Sequence, residues 1–354
     1  EDAGISPQDV EAAWVGTVWS GQTGQTLAEP LKLAYIPITR VENQCATGSD
    51  ALRNAAYAVA AGVYDIVLAF GVEKLKDSGW SGLPHEKMNS DNTYRKRTAT
   101  APGNFALMAT RYFSKYGLSP EEGKRILAEI AVKNHHNGTL APKAHFHREL
   151  TLEQVINAPI VAWPLGLFDC CGVSDGAAAA ILTRADMARN FRDDPIYIKA
   201  LQICAGPQDG YMKSTYDFTH VEETYRAGKA AYAEAEIKNP REINIAEVHD
   251  CFTITELTIY EDLGWSPRGQ AKQDVQAGTF TLEGDLPVNT DGGLKCFGHP
   301  VGASGLRMLY EEYKQLQGKA GPRQVKNPHL GLTHNQGGPP GGAIVSVVVV
   351  GNDK

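Results

Sequence analysis

The sequence predicts an α/β protein made of two related halves, each a mainly parallel sheet with helices on its faces, and three observations lead there. Short apolar runs alternate with helical stretches. Two distant segments, Cys45-Ala46-Thr47-Gly48-Ser49-Asp50-Ala51-Leu52-Arg53 and His299-Pro300-Val301-Gly302-Ala303-Ser304-Gly305-Leu306-Arg307, share a glycine three positions on and a Leu-Arg at seven and eight. A second echo relates Ser174-Asp175-Gly176-Ala177 to the closing phrase Gly341-Gly342-Ala343-Ile344, both glycine turns feeding apolar strands. A pseudo-twofold axis between the halves would bring Cys45 and His299 to equivalent places beside it.

The elements follow in order. Residues 10–18 read as a strand, 37–42 approach Cys45 in extended form, and 46–61 form an alanine-rich helix. Residues 65–71 are a continuous apolar run, the pattern of a strand buried on both faces. From about 74 to 163 the pattern loosens into polar loops and two helices, 104–116 and 120–134, an insertion whose size suits a substrate-covering subdomain. A strand resumes at 174–183, and the boundary between halves falls near 185–195, giving units 1–188 and 189–354. The second half reads as strand 196–205, helix 221–235, strand 243–248, helix 255–263, helix 304–316 and a final valine-rich strand. Against the longer approach to His299, the opening is abrupt, and a strand and helix of about 30 residues are expected ahead of residue 1.

A chain of 354 residues favours two domains. Its net charge of −7 weighs against nucleic acid or an anionic membrane surface as partner. The one dense basic cluster, Arg95-Lys96-Arg97, reads as a solvated loop. Six cysteines without CxxC spacing point to reduced thiols and a cytoplasmic setting. No run of about 18 apolar residues occurs.

Cys45 directly precedes a helix, whose unpaired amides and dipole would favour a thiolate. His299 sits between glycines and before a proline, so its backbone is fixed and few side chains block the imidazole. A thiol and an imidazole so placed are a nucleophile and its base. His249-Asp250-Cys251-Phe252 follows an apolar strand, where groups line the usual ligand crevice. His334-Asn335-Gln336-Gly337-Gly338 repeats that placement, with glycine amides able to approach an oxyanion. Zinc held by Cys45, Cys251, His299 and His334 is the competing reading, disfavoured by the lack of closely spaced ligand pairs. His145-Phe146-His147 reads as an exposed or loop-packing pair, Cys170-Cys171 as packing, and Cys296 as lining the His299 loop. Neither GxGxxG nor GxxxxGK[ST] occurs.

At these residues the chain resembles the thiolase superfamily, in the branch of sterol-carrier-protein-type thiolases and their bacterial and archaeal relatives. Residues Val41 to Gly48 look like the nucleophile motif, Gly292 to Gly305 like the glycine-His-Pro motif, and Ser174-Asp175-Gly176-Ala177 like the strand closing the first half. His249-Asp250-Cys251-Phe252 and His334-Asn335 mark the branch. The resemblance implies a thiolase fold: two βαβαβ-type halves in a five-layered αβαβα sandwich. It implies that Cys45 carries the acyl group, that His299 accepts its proton, and that Cys251 is the second acid/base. It also implies that His249 holds an oxyanion with His299, while the amides of Cys45 and Gly337 form a second oxyanion hole bordered by His334. Coenzyme A is then a substrate, with no metal or other cofactor in the chemistry. The partners implied are a second copy, through the Cys-bearing half, and a small zinc-ribbon protein with an oligonucleotide-binding-type fold. A retro-aldol lyase on a β-hydroxyacyl-CoA and a non-catalytic acyl-CoA-binding subunit are the alternatives. The acyl substituent is open; Trp80, Tyr94, Phe105 and Tyr112 would suit a bulky group or simply form a core.

Overall fold

The computed structural model describes residues 2–21, 23–79 and 100–353, so Trp80, Tyr94 and the Arg95-Lys96-Arg97 cluster lie outside the described residues. Along the chain, β1 (Ala12–Gly16), α1 (Gly24–Ala28), β2 (Ile38–Val41), α2 (Thr47–Ala60) and β3 (Ile66–Lys74) come first. An excursion supplies α3 (Ala101–Lys115), α4 (Pro120–Thr139), α5 (Leu152–Ile156) and the paired β4 (Ile160–Ala162) and β5 (Leu165–Gly166), before β6 (Asp175–Thr183) returns. Then follow β7 (Tyr197–Ala205), α6 (Asp209–Met212), α7 (Glu222–Glu234), β8 (Ile245–Glu247), α8 (Thr253–Asp262) and α9 (Ala271–Gln276). The last elements are α10 (Gly293–Cys296), α11 (Ser304–Leu316), β9 (Leu330–Gly337) and β10 (Ile344–Gly351).

Two four-stranded sheets result, in orders β2-β1-β3-β6 and β7-β10-β9-β8. Helix α2 packs on β1 and β3, α11 packs on β8 and β9, and the two helices pack on each other. They form the middle layer of the sandwich and carry the two echoing segments into its centre. Helix α7 covers the far face of the second sheet through β7 and β10. The far face of the first sheet is covered, among the described residues, by Ile5, Leu31, Leu33 and Ile36 around Ala13 and Leu68.

The first sheet is mainly parallel as expected, with only β3 and β6 antiparallel. The second is not. There only β8 and β9 run parallel, while β10 is antiparallel to both its neighbours. The loop 338–343 is too short for a parallel crossover, which needs a dozen or more residues.

The excursion is more ordered than its polar composition suggests. Ser119 caps α4 in a reciprocal box with Glu122, and Pro120 opens the helix. The helix continues past the expected end at 134 because its last turn is held by tertiary contacts. The Asn137 side chain donates to the Asn289 carbonyl at 2.9 Å, and Gly138 sits where any Cβ would collide with the Cys296 sulfur. Helices α3 and α4 lie over α8, every residue of which is buried. Phe105 stacks on Phe252 with ring centres 4.6 Å apart, and Tyr112 donates to Glu261 at 2.5 Å. These two aromatics therefore belong to a core that fixes the Cys251 segment.

Candidate active site

Strand β2 delivers the chain to a turn that ends at Cys45. The Asn43 amide donates to Thr47 Oγ1 at 2.9 Å, its side chain donates to Asp50 Oδ2 at 2.6 Å, and Gln44 adopts a φ of 49°. The thiol is turned into a pocket walled by Leu75, Val301 and the part-buried Val18, Trp19 and Val173. Burial pushes the Cys45 thiol up to about 12. The Gly338 amide, donating to the sulfur, opposes this, and the negative charges of Glu73 and Glu42 add to it. The thiolate expected from the helix dipole is therefore not the resting species, because removal from water outweighs the dipole.

His299 is 2% exposed. Its Nδ1 lies 2.7 Å from Ser304 Oγ, and that hydroxyl donates to the Pro300 carbonyl at 3.0 Å. A hydroxyl carries one proton, so Ser304 accepts from Nδ1–H and leaves Nε2 as the lone-pair nitrogen, a tautomer assigned from the network. Nε2 is buried with no hydrogen-bond partner. Burial, then the Arg307 charge, pushes His299 down to about 3, so the ring rests neutral.

His249 lies beyond the carboxyl end of β8, its ring 5.3 Å from that of His299 and nearly perpendicular at 84°. Cys45, His249 and His299 offer reactive atoms that all lie within 4.8 Å of one another. Burial, then the neighbouring His299 and His334, holds His249 well below the usual imidazole range. Cys251 follows, its carbonyl accepting the Cys171 amide at 2.8 Å. Burial pushes the Cys251 thiol well up, and Cys171 and Cys45 are near enough to push it further.

His334 is displaced from its expected place beyond a strand end: it lies inside β9, fully buried. Its Nε2 is 3.0 Å from Thr224 Oγ1 on α7, while Nδ1 is buried without a partner. Burial pushes it down to about 3. Gly337 packs its Cα on the turn, where a Cβ would stand 3.0 Å from the Cys45 nitrogen. The amides that reach the sulfur are that of Cys45 itself and that of the next residue, Gly338, whose φ of 90° favours glycine.

Cys45 and His299 meet, but not as equivalents. Helix α2 starts at Thr47, two residues after Cys45, whereas α11 starts at Ser304, five after His299. Gly48 packs at the helix crossing, where a Cβ would stand 3.1 Å from both the Gly302 oxygen and the Gly305 nitrogen. Residues 300–303 form an extra turn in the second segment, so its helix starts three residues later relative to the sequence echo (five after His299 against two after Cys45).

The strand expected to end at 71 runs to Lys74 and carries a buried carboxylate that sequence reasoning missed. Glu73 accepts from the amides of Val18, Trp19 and Ser20 at 2.7–3.0 Å and from the Gly302 amide at 3.1 Å. It thereby joins the Cys45 pocket wall to the His299 loop. An acid closing an otherwise apolar run was its only sequence signal. Ser304 and Thr224 carried none. His145 packs against Ser174, its Nδ1 2.9 Å from Oγ, and Cys296 donates to the Phe146 carbonyl at 2.9 Å, as linings of the loop.

Comparison with known proteins now adds to this geometry. Residues 1–186 match the family profile described as Thiolase, N-terminal domain, and residues 206–349 the profile described as Thiolase C-terminal domain-like. The chain belongs to the thiolase family. This thiolase is 40% identical over 354 residues to an acetyl-CoA acetyltransferase of Methanothermobacter thermautotrophicus, covering 98% of this chain and 90% of the relative. It is 36% identical over 358 residues to sterol carrier protein 2 of Gallus gallus, covering 97% of this chain and 64% of that protein. Among solved structures, the one titled Ltp2-ChsH2(DUF35) aldolase superposes with a TM-score of 0.85 at 26% identity, over 99% of this chain and 89% of that one. The protein is thus an acyltransferase of the thiolase type with the thiolase fold. Among the described residues, no helix is long and apolar enough to cross a membrane.

Proposed function

We propose that this thiolase cleaves a 3-oxoacyl-CoA with CoA, or runs the reverse Claisen condensation, through an acyl-Cys45 thioester. The placement of the Cys45 sulfur beside the partnerless imidazole nitrogen of His299 carries this reading. His299 Nε2 takes the thiol proton as the sulfur attacks the β-carbonyl carbon, so charge separates only as the new bond forms. Collapse breaks the bond between the α and β carbons. Its electron pair passes to the α carbon as an enolate, which Cys251 protonates from its thiol. In the second half-reaction the Cys251 thiolate removes the proton of incoming CoA, whose sulfur attacks the acyl carbon and releases Cys45. Cys45 then recovers its proton from His299. His249, together with His299, and the amides around Cys45, Gly337 and Gly338 are the donors for the successive oxyanions, with His334 behind them.

The name of the archaeal relative supports an acetyl unit as one of the transferred pieces. The aldolase title supports a second reading, retro-aldol cleavage of a β-hydroxyacyl-CoA, which needs no nucleophilic thiol. The same title pairs its chain with ChsH2(DUF35), and this supports a partner for the present chain. We take the form of that partner to be the zinc-ribbon, oligonucleotide-binding-type protein, bound to a homodimer. Intact-protein mass spectrometry with short, branched and aromatic 3-oxoacyl-CoA thioesters tests the reading, with and without a co-encoded partner. A gain of one acyl group on Cys45, discharged by CoA and absent in Cys45→Ala, is expected. Loss of the nucleophile is expected to lower turnover at least about 10⁴-fold. Turnover undiminished in Cys45→Ala, with no adduct, would establish the lyase instead.

A further inference from the structure

The cluster at the heart of the pocket has a second chemistry. A thiol and two imidazoles are soft-metal ligands, and three protein ligands with one open position are the composition of open zinc sites. We propose that Cys45, His249 and His299 form a reversible binding site for a soft divalent cation of the zinc class, occupied only while Cys45 is unacylated.

Three observations carry the site. The three ligand atoms already lie within 4.8 Å of one another, and all three residues are buried. A tetrahedral ion with bonds of about 2.3 Å to sulfur and about 2.0 Å to nitrogen asks for ligand atoms somewhat closer than that. With Nδ1 of His299 turned to Ser304, its Nε2 is buried with no hydrogen-bond partner, so no bond must be broken for it to coordinate. The other nitrogen of His299 is held by Ser304, the outer hydrogen bond that orients metal-bound histidines.

Binding balances as the ion displacing the Cys45 proton to solvent, with a metal–sulfur bond formed, no change of oxidation state, and one net positive charge left in the pocket. Acylation consumes the same sulfur, so an acyl group and the cation exclude each other, and zinc competes with the acyl donor. The exclusion rests on the acyl-Cys45 reading; the binding does not.

The test titrates the chelator-stripped full chain with Co²⁺ under a non-thiol reductant and follows visible absorption. One equivalent with intense tetrahedral bands and a thiolate-to-cobalt charge-transfer band is expected, displaced by Zn²⁺ and accompanied by release of one proton. The charge-transfer band disappears in Cys45→Ser and in wild-type protein alkylated at Cys45 after folding, a route that does not depend on the variant's folding. Ser304→Ala weakens binding about 10- to 100-fold. A weak octahedral spectrum, or a charge-transfer band that survives loss of the Cys45 thiol, overturns the proposal. If the band forms but acyl-CoA neither acylates Cys45 nor displaces the metal, the acyl-transfer reading fails and the site stands. If acylation occurs and no band forms, the site alone fails.

Discussion

The two segments that echo each other in sequence start helices that face each other at the centre of the sandwich, yet they present their functional groups differently. Both helices are capped by an alanine with no side-chain hydrogen bond. In the first, Cys45 stands at the helix mouth and its sulfur receives the Gly338 amide from the loop after β9, in the other sheet. In the second, the extra turn 300–303 lets the His299 ring fold back onto Ser304, the first residue of α11. The fourth residue of each helix differs in sign: Asp50 pairs with Arg53 at 2.7 Å, while Arg307 is bound by Glu247 at 3.0 Å and by Asp291. Arg307 opposes protonation of His299, and Glu73 and Glu42 oppose ionisation of Cys45. Each end is thus set against its own charged form. The difference teaches that the site is built as a neutral thiol and a neutral imidazole, not as a resting ion pair.

The largest consequence falls on the histidine side. In Ser304→Ala the Nδ1 proton loses its acceptor, both tautomers become accessible, and Nε2 is no longer committed to the lone pair. Turnover is expected to fall about 100-fold, within the range of a general base, with smaller change in KM. Ser304→Thr, which keeps the hydroxyl, restores most of it. Equal activity in the alanine variant would show that Ser304 does not set the tautomer.

The cysteine side is sharpened by Glu73→Gln, where two effects carry opposite signs. Replacing one carboxylate oxygen by an amide faces N–H donors with another donor, which costs about 1–3 kcal/mol per unsatisfied group and loosens the His299 loop. Turnover is expected to drop roughly tenfold. Removing the negative charge near the sulfur lowers the Cys45 pKa, so alkylation by iodoacetamide at fixed pH speeds up roughly two- to fivefold. A variant slower in both assays would mean that Glu73 acts through folding alone. In the wild type, alkylation of Cys45 should climb about tenfold per pH unit through the neutral range without a plateau, because the thiol titrates near 12. A plateau at neutral pH would reveal a stabilised thiolate and remove the contrast between the two ends.

What was legible in the sequence follows from how local each signal is. Helix 304–316 was read to the residue, and Cys45, His249 and His299 were found because strand ends and helix starts are local patterns that aim side chains at a shared crevice. Strand direction in the second sheet was not visible in hydrophobic period, although the short loop 338–343 encoded it. The register of the echo misled because an inserted turn shifts the backbone without disturbing the matched residues. Glu73 and Thr224 were missed for a different reason. Their partners stand far along the chain, Gly302 at 229 residues and His334 at 110, and nothing local to an acid or a threonine announces such a contact.

The smallest effect concerns stability and separates His334 from the reacting pair. His334 titrates near 3 in the folded protein, against about 6.5 for a solvated imidazole. Between those values the unfolded chain binds a proton that the folded one refuses, so stability is retained above about 6.5 and falls as pH drops. His299, also near 3, and His249 act in the same direction, which makes the acid limb steep. His334→Gln removes one of these contributions while leaving a side chain able to bond Thr224. Urea unfolding at successive pH values from about 6 to about 4 should show the slope of stability against pH reduced by about 1.4 kcal/mol per unit, with the curves of variant and wild type converging as pH falls. An unchanged slope would mean that His334 takes up its proton inside the folded protein. It would then stand as a titrating member of the site rather than a neutral donor held behind it by Thr224.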